Sequence, residues 1–160
     1  LVAWWSSISS FSDPERNLYR RLLESLSSEP ERRFFRLYFE TLRNDLGERL
    51  PAIIPQVYLH YDPYTLRELP SNGSALARQR MDFLFLLPYR QRVVIEIDGQ
   101  QHYADGDVAS PKRYAEMAAE DRNLRLQGYE LYRFGGYELM SSNWRETGAE
   151  FLKRLIKKSL

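Results

Sequence analysis

Two apolar runs carry acids where a protein interior would not ordinarily hold them. One is MDFLFLL (81–87), which contains Asp82. The other is RVVIEID (92–98), which contains Glu96 and Asp98. Both are apolar at nearly every other position, as strands covered on both faces are. Alternation puts Asp82, Leu84 and Leu86 on one face, with Met81, Phe83, Phe85 and Leu87 on the other. On the next run Val94, Glu96 and Asp98 share a face, opposed to Val93, Ile95 and Ile97. Residues directly opposite in a hairpin point the same way, so Asp82 meets the acids only if paired indices sum to an even number. That requires an odd connection of three or five residues, or a bulge. An even connection would drive Asp82 into the phenylalanine face, a costly place for an unpaired charge. The odd register is therefore expected. Carboxylates crowded together repel unless a cation sits among them, and hard oxygen ligands suit Mg²⁺ or Mn²⁺. The competing account is structural: Arg80, Arg92 or a buried Arg would neutralise the acids as ion pairs.

The elements that must position these acids are legible around them. SDPERNLYRRLLESL from Ser12 and SEPERRFFRLYFETLRNDLG from Ser28 each open with Ser, an acid, Pro and Glu. Ser at the N-cap with Glu three residues on is a capping box, and Pro is tolerated in a first turn. Leu18, Leu22 and Leu26 repeat every four residues; Phe34, Leu37, Tyr38 and Leu42 make a similar stripe. Helices over 13–27 and 29–46 are predicted, with Gly47 capping the second. AIIPQVYLHY from Ala52 reads as a strand, and Pro55 suggests a sheet edge. DPYTLRELPSNGSALAR is a turn-rich loop. After a polar stretch from Gly99 to Ser110, a helix starts at Ser110–Pro111 and ends at Gly128. YELYRF (129–134) is a strand and 143–158 a last helix. The order α-α-β-β-β-α-β-α describes a single α/β (α+β) domain spanning 1–160, with a central sheet flanked by helices.

Composition narrows the class. The chain has 160 residues, 43% of them hydrophobic, and a net charge of +1. That is globular, and the overall charge by itself says nothing of nucleic acid. The basic end FLKRLIKKSL reads as the solvated face of a helix. No run approaches the roughly 18 apolar residues of a membrane span. The N-terminal LVAWW lacks the basic lead and cleavage pattern of a signal peptide. With no cysteine, disulfides and thiolate metal sites are excluded, which suits a cytoplasmic location. The first residue is not Met, as in a domain cut from a larger protein or a processed chain.

Taken together, Ser-Glu-Pro-Glu31 at a helix start, RMDF, VVIEIDGQQHY and AEDRNLRLQGYELYRF resemble the PD-(D/E)XK nuclease superfamily. The likeness is greatest to its small branch related to very-short-patch-repair endonucleases, whose strand reads E-x-D-G-x-x-H. It covers about 28–139. The resemblance implies a restriction-endonuclease-like core and a Mg²⁺- or Mn²⁺-dependent endonuclease, with DNA favoured over RNA as partner. It further implies the setting of a prokaryotic defence or repair protein. The family's metal-holding acids fall on Asp82, Glu96 and Glu31, the last in preference to Glu15. The usual Lys is replaced by Asp98, as in that branch, and Gln100 and His102 are the candidates to take over its role. Gln100 would position the water. His102 would take or relay its proton, imidazole being the side chain that titrates near neutral pH. Asp121, Arg122 and Arg133 match positions beside the family's site. Arg133, and likewise Lys112 and Arg113 at a helix start, would contact phosphate, each with a structural ion pair as the alternative. Tyr89 or Tyr103 could stack on bases, with core packing as the plainer expectation.

Two rivals stand against this. A catalytically inactive module of the same fold would bind nucleic acid or a partner protein without cutting. A non-haem iron site built from His60, Asp62 and His102 has suitable ligand types, but that chemistry is usually hosted in an all-β barrel.

Overall fold

The computed structural model describes residues 2–8, 12–58 and 80–159. The expected loop 62–78 and the residues His60 and Asp62 of the iron reading lie outside these. Among the described residues five helices and six strands follow one another: α1 (Val2–Ile8), α2 (Pro14–Glu24), α3 (Glu29–Leu46), β1 (Ala52–Tyr58), β2 (Arg80–Leu86), β3 (Arg92–Asp98), β4 (Ala104–Asp105), β5 (Val108–Ala109), α4 (Pro111–Leu126), β6 (Glu130–Gly135) and α5 (Trp144–Ser159). The predicted order holds, with α1 and the small β4–β5 hairpin as additions.

α3 forms as its residues dictate. The Ser28 hydroxyl accepts from Glu31 N–H at 3.3 Å and donates to the Glu31 carboxylate at 2.7 Å. The Ser half of the expected capping box is thus formed, while the Glu31 carboxylate takes the Ser28 hydroxyl and the Ser27 N–H. Gly47 ends the helix at φ +53, a conformation that costs glycine little. α2 begins one residue later than its sequence suggests. Asp13, not Ser12, caps it by accepting from Arg16 N–H at 3.0 Å, because the Asp-Pro step already places a short acceptor before Pro14.

The main sheet runs β1-β2-β3-β6, antiparallel except for the parallel pair β3–β6. Its order makes β1, with Pro55, an edge strand, where a missing N–H is tolerated. α3 and α5 cover one face through Phe34, Phe35, Tyr38, Leu152 and Ile156, packed on Phe83, Phe85, Val93 and Ile95. α5 comes so close to α3 that a Cβ on Gly148 would lie 2.6 Å from Leu37 Cδ2. On the other face Leu124 of α4 lies in a smaller cluster with Met81, Leu84, Val94, Tyr129 and Leu131. The basic end of α5 buries Leu155 and Ile156 and exposes Lys153, Arg154, Lys157 and Lys158, the solvated face expected.

Phe83↔Ile95, Leu84↔Val94, Phe85↔Val93 and Leu86↔Arg92 pair across β2 and β3. The indices sum to an even number, and residues 87–91 form the odd connection. One parity expectation fails. Met81 packs with Leu84 and Val94 on the α4 side, not with Phe83, and Val57 opposite it joins the same cluster. The face assignment therefore reverses between Phe83 and Met81, around Asp82. On β1, Gln56 falls between the pairs Pro55↔Phe83 and Val57↔Met81, and its backbone is left-handed at φ +55. That one residue turns the end of β1 over relative to the rest.

Among the described residues no helix is long and apolar enough to cross a membrane.

Candidate active site

The reversal decides where Asp82 goes. The β2–β3 pairing ends at Phe83↔Ile95, and the Asp82 carboxylate takes over by accepting Ile97 N–H at 2.8 Å. Its side chain turns along the sheet toward β3. Burial pushes the Asp82 pKa up; the Ile97 N–H opposes this, and the nearby Glu31 charge adds to it. Glu31 reaches this point from α3, on the face opposite α4. Its carboxylate also accepts from Ser27 N–H at 3.1 Å and from the Gln56 amide at 2.8 Å.

Glu96 lies on β3 in parallel register with Arg133, on the α4 side, and is only 6% exposed. Its Oε1 is buried without a hydrogen-bond partner. Burial drives the Glu96 pKa well above the ordinary carboxylate range, and the Asp82 charge pushes it further. Arg133 pulls the other way, while Asp98 and Glu120 add to the rise. Glu31, Asp82 and Glu96 thus form a chain of mutually felt charges running from one face of the sheet to the other.

Asp98 does not join that chain as a free carboxylate. Arg133 donates to it at 2.5 Å and to Asp121 on α4 at 2.6 and 2.9 Å. The guanidinium expected to meet a phosphate is thus committed to two acids. Burial works against its charge, yet these acids hold its pKa above the usual arginine value. The planar fork explains the choice, since it can serve both carboxylates at once. His102, in a single helical turn after β3, has Nδ1 3.7 Å from Asp98 Oδ1.

The remaining expected contacts separate. Gln100, expected to position a water, turns its amide to Gly106 O at 2.7 Å and Asp107 at 3.2 Å, bracing the β4–β5 hairpin. Arg113 is held by Asp105 and by Gln101 O. Lys112 and Arg122 are exposed, Lys112 lying 3.9 Å from Glu116. Glu15 pairs with Arg43 on the surface at 2.5 Å, away from the sheet acids. Tyr89 and Tyr103 are 93% and 49% exposed rather than packed. Tyr89 sits at the β2–β3 tip, the end of the hairpin remote from Asp82.

Two neighbours escaped the sequence reading. Gln56 was concealed in an otherwise apolar run, though a lone amide in AIIPQVY is itself a signal. Glu120 stands beside Asp121 on α4; desolvation raises its pKa, while the Arg133 and His102 charges lower it.

The donor chemistry suits a hard divalent cation. The acids are oxygen ligands, and the orphaned Glu96 Oε1 is an acceptor that lacks a partner. The spacing is open, however. Among the described residues no three His, Asp or Glu side chains are grouped closely enough to hold an ion as they stand. No family model, curated protein or solved structure matches this chain.

Proposed function

We propose that this domain is a divalent-cation-dependent endonuclease, cutting DNA in preference to RNA, and the catalytic module of a larger prokaryotic defence or repair protein. The observation that carries the reading is Glu96: a buried carboxyl, one oxygen without a partner, its charge opposed by Asp82. A proton or a cation would relieve such a group. Glu96, Asp82 and Glu31 would hold Mg²⁺ or Mn²⁺, and the open spacing means that binding must gather them. The ion would supply a water acidified toward neutral pH and charge neutralisation on the phosphate. His102, beside Asp98, has the base-and-orienter arrangement used for proton transfer. Arg133 serves as a brace, tying β3 to α4 through Asp98 and Asp121. Exposed Lys112 and Arg122 remain for the backbone of the nucleic acid.

The inactive-module reading has one observation in its favour, the absence of a closed ligand cage among the described residues. A cleavage assay separates the two. Plasmid, single-stranded DNA and RNA are incubated with Mg²⁺, Mn²⁺ or EDTA, for wild type and Glu96→Gln. The nuclease reading expects metal-dependent cutting, strongest on DNA and lost in the variant. Binding without cutting, equal in Asp82→Ala and wild type, supports the rival.

A further inference from the structure

Gln56 combines three features that the fold alone does not require. Its backbone is left-handed at φ +55, a conformation side chains other than Gly, Asn and Asp seldom adopt. Its amide nitrogen donates to Glu31 Oε2 at 2.8 Å, joining the sheet edge to the start of α3. Its amide oxygen is buried with no hydrogen-bond partner. A bend in an edge strand needs only the first, and glycine would supply it without strain. An orphaned oxygen beside a strained backbone is the kind of local cost found at functional positions.

We propose that Gln56 is a positioning residue that orients Glu31 toward Asp82 for cation binding; this rests on the cation site proposed above. In the β1–β2 register Gln56 falls between the pairs Pro55↔Phe83 and Val57↔Met81, the level of Asp82. Ser27 and Ser28 hold Glu31 from its own chain end, and Gln56 holds it from the sheet. The amide oxygen adds an uncharged acceptor to a set of acids, the kind of donor hard cations accept.

The test separates folding from positioning. Melting temperatures of wild type, Gln56→Gly and Gln56→Met are measured in EDTA and in Mn²⁺. Glycine accepts the backbone conformation but removes the bond to Glu31 along with the orphaned oxygen, so Gln56→Gly is required only to melt cooperatively in EDTA. Its Mn²⁺-induced rise should fall several-fold. Gln56→Met keeps the side-chain length without the amide and should lose the same response. Adding Gln56→Gly to Glu31→Gln should cause little further loss, since Gln56 acts only through that carboxylate. Either variant, folded in EDTA, with an undiminished Mn²⁺ response overturns the proposal. If wild type itself gains nothing from Mn²⁺, the cation reading fails and this inference fails with it.

Discussion

Asp82 accepts the backbone N–H of Ile97 at 2.8 Å, just where the pairing of their two strands stops. A side chain thus replaces a ladder bond at the mouth of the candidate site. Asp82→Ala would orphan a buried N–H and should cost about 1–3 kcal/mol. Asp82→Asn keeps an acceptor and should lose less than half of that, while abolishing metal-dependent cutting. Urea midpoints for both variants, alongside cleavage rates, check the split.

Glu96 gives a pH signature. Its folded pKa is raised above the ordinary carboxylate value of 4.5 by burial, then by Asp82. The folded state therefore holds its proton more tightly than the unfolded one. The stability this contributes is fully present below pH 4.5 and is lost as pH rises through the elevated folded value. In EDTA the wild type should lose stability over that range, more than Glu96→Gln does. At pH 7 Glu96→Gln should be the more stable by about 1–3 kcal/mol, the usual cost of a buried group left unsatisfied. Denaturant melts across pH measure both.

The Arg133 brace should resist conservative exchange. Asp98 and Asp121 have side chains only 13% and 19% exposed, so losing their common partner leaves two acids facing each other. Arg133→Met should destabilise by roughly 2–4 kcal/mol. Arg133→Lys should recover little, because one ammonium cannot span both carboxylates as the fork does. Thermal melts of the two variants decide it.

Nucleic-acid contact should separate along the basic residues. Lys112→Glu and Arg122→Glu remove exposed charges and should weaken DNA binding several-fold, more at low salt than at high, with little change in melting temperature. Arg113→Glu should instead loosen the β4–β5 hairpin that Arg113 ties to Asp105 and Gln101. Fluorescence anisotropy with labelled duplex at two salt concentrations distinguishes them.

Much of this arrangement is legible in the chain. The Ser28–Glu31 box and the Phe34–Leu42 stripe define α3 because local chemistry and packing agree there. The strand register follows from one argument about cost: Asp82 could not sit among phenylalanines. The reversal at Gln56 and Asp82 was hidden, because it depends on a left-handed residue of a type that rarely adopts that conformation. Arg133 shows the limit differently. Its position beside the site could be read from the resemblance, but which acids would claim its guanidinium depended on α4 lying over β6. α1 is missed because VAWWSSI is only 7 residues long and has no capping residue before it.

The central claim is that Glu96, Asp82 and Glu31 close around one divalent ion. Calorimetric titration of Mn²⁺ into wild type and Glu96→Gln, with both proteins first shown to be folded, addresses it directly. Saturable binding near one ion per chain in wild type, weakened at least tenfold by the substitution, is the expected result. Equal binding by the two proteins, or none by either, contradicts the account.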